Sequence, residues 1–146
     1  MDAGEYESEP FYRCGASICT VLGVASMATI QGVVSAAQRH AAQAQVDLIQ
    51  VANKVQVAEQ ICTLGIDILG IHTGIDGQLQ GETPFDDLRA IANLGLTCKI
   101  SVAGGLGPDT VRLAADLGAD IVVIGARISA APDPLAAARS IHAALG

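Results

Sequence analysis

The sequence predicts an α/β fold of about five parallel strands with six helices, and three observations point there. One phrase recurs along the chain: a helical pattern, a glycine, a short apolar run, then a glycine or polar break. It is seen in CGASICTVLG, LGIDILGIHTG, LGLTCKISVAGG and LGADIVVIGA. The apolar runs do not alternate with polar residues, as expected of strands covered on both faces. The composition agrees, with 51% apolar residues, only 3% aromatics, no Trp and 16 glycines. Small aliphatic side chains suit helices packed closely on a parallel sheet. The 146 residues are expected to form one domain, 1–146.

The elements follow in order. The acidic start MDAGEYESE reads as a solvated helical end, and Pro10 falls inside the helix that should follow. An interior proline costs a helix about 3 kcal/mol. Strands are expected near 17–22, 46–51, 67–72, 98–103 and 120–125, the second lacking a leading glycine. Helical patterns occupy roughly 28–43, 54–64, 84–94, 108–117 and 133–145. Asn53 is a candidate cap, and Pro84, Pro108 and Pro134 suit first helical positions. The glycine before each apolar run fits the position just past a helix, where a left-handed φ is needed. Strand–helix alternation at this spacing implies right-handed crossovers and a parallel sheet.

Five strands leave two architectures open: a doubly wound open sheet, or the later part of a (β/α)8 barrel. A whole barrel typically needs about 200–250 residues. Both architectures place ligands at the carboxyl ends of the strands. Chemistry is therefore sought at Gly23, Gln50, His72–Asp76, Gly104–Gly105 and Gly125–Arg127.

Several function classes are disfavoured. A net charge of −7 with only eight Lys and Arg argues against nucleic acid. No apolar run reaches the roughly 18 residues of a membrane span, and no signal peptide is visible, so a soluble cytoplasmic protein is expected. Cys14, Cys19, Cys62 and Cys98 have neither C-x-x-C pairing nor metal-ligand spacing and read as free thiols, buried for the three in apolar runs.

The strand ends carry more. VAGGLGPDT and VIGARIS end the fourth and fifth strands. Bare N–H groups of Gly104, Gly105, Gly125 and Ala126 can converge on one phosphate, with helix N-termini adding positive potential. One glycine pair alone reads as a tight turn; two pairs on consecutive strands favour an anion. Arg127 either adds a charge there or covers a neighbouring surface. His72, ending the third strand, is a candidate general base, although a lone histidine is more often a structural residue. Asp76 follows on a glycine-rich loop. His40 and His142 fall on polar helix faces and read as solvated.

MDAGEYE, TVLGVASMATI, VDLIQV, IHTGIDGQLQG, SVAGG and PDP, spread over the whole chain, resemble the 3-hexulose-6-phosphate synthase family. That family belongs with 3-keto-L-gulonate-6-phosphate decarboxylase among the orotidine-monophosphate-decarboxylase-like (β/α)8 barrels, which bind ribulose-phosphate-type ligands. The resemblance implies a partial TIM barrel, here its C-terminal five βα units. It also implies addition of formaldehyde to D-ribulose 5-phosphate, with Mg²⁺, in a cytoplasmic homodimer of the ribulose monophosphate pathway. By the same resemblance His72 handles the C1 proton, and Gly104, Gly105, Gly125, Ala126 and Arg127 form the phosphate cradle. Asp2 matches the last aspartate of a D-x-K-x-x-D signature that reaches a neighbouring subunit's site.

The sequence also departs from the family. Its first residues fall inside the signature, so the first three strands, the Mg²⁺ carboxylates and the catalytic lysine are expected upstream of Met1. The chain by itself is then expected to hold no metal, to be weakly active or inactive, and to dissolve poorly at open sheet edges. Ala126 stands where the family has glycine or arginine, Ser17 replaces the aspartate of GAD, and Ser26–Met27 replaces an acidic pair. Thr73, Gly74 and Ile75 occupy positions where the decarboxylases carry arginines, which disfavours their chemistry. A non-catalytic half-barrel that binds sugar phosphate is the other reading.

Overall fold

A computed structural model describes residues 3–146. Its elements, in chain order, are α1 (Gly4–Arg13), β1 (Ile18–Leu22), α2 (Met27–Arg39), β2 (Gln43–Asp47) and α3 (Lys54–Cys62). There follow β3 (Ile68–His72), α4 (Ile75–Leu79), α5 (Phe85–Ala92), β4 (Lys99–Ala103) and α6 (Val111–Asp116). The last are β5 (Ile121–Val123), α7 (Ala126–Ser129) and α8 (Pro134–Leu145). The five strands are all parallel and lie in the order β1-β2-β3-β4-β5.

That order decides between the two architectures. In a doubly wound sheet the strand order reverses at a switch point. Here each strand lies beside its predecessor, so right-handed crossovers carry every connecting helix to one side. The sheet is five strands of a (β/α)8-type barrel. Among the described residues, β1 and β5 are paired on one side only.

Glycines just past α1, α3, α5 and α6 start the turns into β1, β3, β4 and β5. Gly15, Gly65, Gly95 and Gly118 all have positive φ, between 63° and 102°. Aspartates then lock two of the turns to the neighbouring strand. Asp67 Oδ2 accepts the Ala44 N–H at 2.8 Å, and Asp120 Oδ2 accepts that of Ile100 at 2.8 Å.

The core lies between sheet and helices, with Ile30, Leu48, Ile61, Leu69, Ile71, Leu88 and Ile91 all nearly inaccessible. Strand β3 is buried along Ile68–Ile71, as its unbroken apolar run requires. Tyr12 ties α1 to this core, its hydroxyl donating to the Gln43 carbonyl at 2.9 Å.

Several expected details change. Two one-turn helices, α4 and α7, join the six longer ones, making eight among the described residues. Strand β2 runs 43–47 rather than 46–51, because Gln50 turns left-handed (φ 61°) and ends the extended segment. Asn53 makes no side-chain cap bond. Pro84 precedes α5 rather than opening it, and α6 begins three residues after Pro108. Asp133 does cap α8, accepting the Ala136 N–H at 2.9 Å, with Pro134 inside the first turn. The thiols of Cys19, Cys62 and Cys98 are half-buried rather than buried, and Cys14 is exposed. Neither is His40 solvated: it stacks on Tyr12 and pairs with Glu9 at 2.9 Å.

Candidate active site

The carboxyl ends of β2 to β5 bring most of the expected residues together. His72 is the last residue of β3, in register with Ala103 of β4. Asp47 is the last residue of β2, and its Oδ2 lies 2.9 Å from His72 Nδ1. Its other oxygen, Oδ1, accepts the Ile49 N–H at 2.8 Å. With both oxygens engaged as acceptors, Nδ1 is the nitrogen that carries the proton, and the ring orientation is set. His72 Nε2 has no partner among the described residues and is left for a ligand. The histidine side chain is 34% exposed and the aspartate 17%, so the pair is sheltered but reachable.

A cleft of about 490 Å³ beside His72 is lined by Gln78, Gly104, Gly105, Gly125, Ala126 and Arg127, among others. The glycines differ in why they are glycines. Gly104 has φ 108°, and a Cβ there would collide with the Thr73 carbonyl oxygen. Gly105 follows with φ 69°. Gly125 faces open space. Among the described residues, none of the N–H groups of Gly104, Gly105 and Gly125 donates to a backbone carbonyl in the turns and loops. Ala126 opens α7, where a first-turn N–H has no partner within the helix. Since α7 is a single turn and α6 starts only at Val111, these donors count as individual N–H groups more than as helix dipoles. Arg127 packs its stem against Gly107 and has no carboxylate partner among the described residues, leaving its charge for the cleft.

On its other side His72 lines a second hollow of about 750 Å³, with Gln50, Lys54, Thr73, Asp76 and Asp87. Asp76 is exposed in the first turn of α4. Lys54 is held by Asp87 at 2.6 Å. Asp2 lies outside the described residues. A hollow of about 870 Å³ lies between α1 and α2, and Glu5, Glu9, Arg13 and Arg39 around it pair with one another.

Asp47 is the residue that sequence reasoning missed. Its signal was present, an acid inside the apolar run QVDLIQV, but placing the strand at 46–51 put Asp47 near its amino end, away from the carboxyl end where chemistry was sought. Among the described residues no three of His, Cys, Asp and Glu gather around one point. Asp47 and His72 therefore do not by themselves amount to a Mg²⁺ shell.

Comparison with known proteins then places the chain. Residues 1–141 match the family described as orotidine 5′-phosphate decarboxylase / HUMPS. The chain belongs to that family. The 3-hexulose-6-phosphate synthase of Methylomonas aminofaciens is 51% identical over 141 residues, which cover 97% of this chain and 68% of that protein. The crystal structure of the 3-hexulose-6-phosphate synthase from Salmonella typhimurium superposes with a TM-score of 0.94 at 39% identity, covering 99% of this chain and 69% of that one. KGPDC from Streptococcus mutans, solved as a ligand complex, has a TM-score of 0.87 at 25% identity, over 99% of this chain and 68% of that one. The chain is thus a homologue of 3-hexulose-6-phosphate synthase, an aldehyde-lyase by family. Among the described residues no helix is long and apolar enough to cross a membrane.

Proposed function

We propose that the chain carries the proton-transfer and phosphate-binding side of a site that joins formaldehyde to D-ribulose 5-phosphate. The observation that carries this reading is the convergence of His72, with Nε2 free, on a cleft lined by the glycines that end β4 and β5. It is supported by 51% identity to one named synthase, and by the TM-score of 0.94 against the solved structure of another.

In this reading the N–H groups of Gly104, Gly105, Gly125 and Ala126 hold the phosphate, aided by Arg127. Binding energy gathered at the phosphate positions the sugar's reactive end near His72. His72 Nε2 removes a C1 proton, and Asp47 holds the ring and stabilises the imidazolium that forms. The resulting enediolate carbon attacks formaldehyde. As the new carbon–carbon bond forms, the formaldehyde C=O π bond opens and its oxygen takes up one proton, which balances the one removed by His72. Asp76, on the flank of the second hollow, faces the sugar hydroxyls, and Asp2 reaches the site of a second copy in a homodimer. Mg²⁺ belongs to the proposal through the family alone, and the proton transfer to His72 uses only this chain's groups.

The test is formaldehyde consumption by the purified chain with ribulose 5-phosphate, with and without Mg²⁺, against His72→Ala. Turnover that disappears in His72→Ala supports the assignment. Turnover that survives it removes His72 from the reaction. If the chain gives no turnover, the half-site reading is tested by whether ribulose 5-phosphate raises its melting temperature; no rise means that the cradle does not bind. The decarboxylase alternative is tested separately, by whether a 3-keto sugar-acid phosphate releases CO₂, a reaction that consumes no formaldehyde.

A further inference from the structure

The amino-terminal ends of the strands, opposite His72, hold a chemical feature that the proposed reaction does not use. Cys62 closes α3, and Cys98 stands directly before β4. Their sulfurs lie 3.1 Å apart although the residues are 36 apart in sequence. Both thiols are free and half-buried, which a small oxidant can reach and bulk protein cannot. We propose that Cys62 and Cys98 form a redox-modification site, a dithiol that a hydroperoxide converts reversibly into a disulfide.

The geometry is close to what the product needs. A disulfide has its sulfurs about 2.05 Å apart, so closure asks for roughly one ångström of approach, within reach of side-chain rotation. The two sulfurs also divide the labour. The hydrogen bond that the two sulfurs share holds the Cys98 thiol down to about 7, against the opposing effects of burial and of Asp120. The same bond pushes the Cys62 thiol upward. The lower-held Cys98 suits the attacking role and Cys62 the resolving one, and the shared contact serves the reverse order as well.

The steps balance. Cys98 sulfur attacks one peroxide oxygen, the O–O bond breaks, and the leaving alkoxide takes a proton as an alcohol, leaving a sulfenic acid. Cys62 sulfur then attacks that sulfur, the S–O bond breaks, and hydroxide leaves as water with the Cys62 proton. Two thiols lose two protons and two electrons, and one hydroperoxide becomes one alcohol and one water. The bridge closes a loop that contains β3, α4 and α5, so it ties together both ends of the His72-bearing segment. It lies away from the cleft and is expected to change stability rather than ligand binding.

The experiment treats the reduced chain with hydrogen peroxide and digests it without reductant. The expected result is a peptide joining residues 62 and 98, two hydrogen masses below the sum of its parts. Titratable thiols fall from the four of the reduced chain to two. The melting temperature rises by about 5 °C, and dithiothreitol reverses all three changes. In Cys62→Ser, Cys98 stops at a sulfenic acid that dimedone labels; in Cys98→Ser, the bridge is absent and Cys62 reacts slowly. Peroxide that consumes thiols in the unsubstituted chain without that joined peptide overturns the proposal, as does linkage chiefly through the exposed Cys14. Because the readouts are covalent, they stand apart from whether the sugar-phosphate reading is right.

Discussion

Where α1 packs on α2, glycine is used to bring two backbones into contact; where β5 ends, it is used to keep backbone bare. A Cβ on Gly4 would fall on the Thr29 carbonyl, and one on Gly32 would come within 2.7 Å of the Glu5 nitrogen. A Cβ on Gly125 would meet nothing within 4 Å. Gly104 stands between the two uses, since it lines the cleft while its missing Cβ lets Thr73 approach. The same residue type thus serves packing at one region and leaves the backbone bare at the other, and substitution separates them.

The largest effect is expected from His72→Ala, which should lower turnover by about 10²–10⁴-fold while leaving the melting temperature within a degree or two. A large fall in stability would show that the site and packing regions are not separable. Gly32→Ala is the counterpart. Forcing a methyl against the Glu5 backbone should cost about 1–3 kcal/mol, only partly offset by about 1 kcal/mol of helix propensity. Thermal melting should fall by a few degrees with ribulose 5-phosphate affinity unchanged. An unchanged melt would mean that α1 simply slides on α2.

Asp47→Asn should reduce turnover by about 10–100-fold, by analogy with losing the partner that orients a functional histidine. The useful readout is kcat against KM: a positioning role lowers kcat, whereas a phosphate-binding role would raise KM. Gly125→Ala sharpens the comparison most directly. An added Cβ there meets nothing within 4 Å, so no packing is disturbed and stability should move by at most about 1 kcal/mol. Sugar-phosphate affinity should fall by about tenfold if one charge-assisted N–H contact is lost. Unchanged affinity would remove Gly125 from the cradle.

The smallest effect belongs to the packing region and depends on pH. Bonds from His40 first, and then Arg39, hold the Glu9 carboxyl down to about 2, below its ordinary 4.5. A depressed carboxylate contributes stability that is whole above the unfolded value and is lost as pH falls towards the folded one. Melting temperature should therefore decline between about pH 4.5 and 2, and Glu9→Gln should flatten that limb. A decline of equal slope in the variant would assign it to other carboxylates.

Much of the fold was legible because it is written locally. Gly15, Gly65, Gly95 and Gly118 mark helix ends by the φ that they alone take easily, and unbroken apolar runs mark covered strands. Asp133 with Pro134 is likewise a local signal. The second strand was placed late because VDLIQVA is apolar almost throughout, and only the left-handed turn at Gln50 shows where extension stops. His72 and the glycine pairs were legible as strand-end residues. The Asp47–His72 pair was not, since the two lie 25 residues apart and meet only once β2 and β3 are in register. The Cys62–Cys98 contact was hidden for the same reason.

By itself, then, the sequence determined the kind and order of the elements, and through its motifs the family, because turn chemistry and hydrophobic period act over a few residues. Tertiary structure decided what those elements bring together: sequential strand order over a doubly wound one, Asp47 on His72, bare N–H groups beside it, and two thiols side by side. Those are long-range pairings, and they depend on strand register and helix packing, which no short stretch of chain encodes alone.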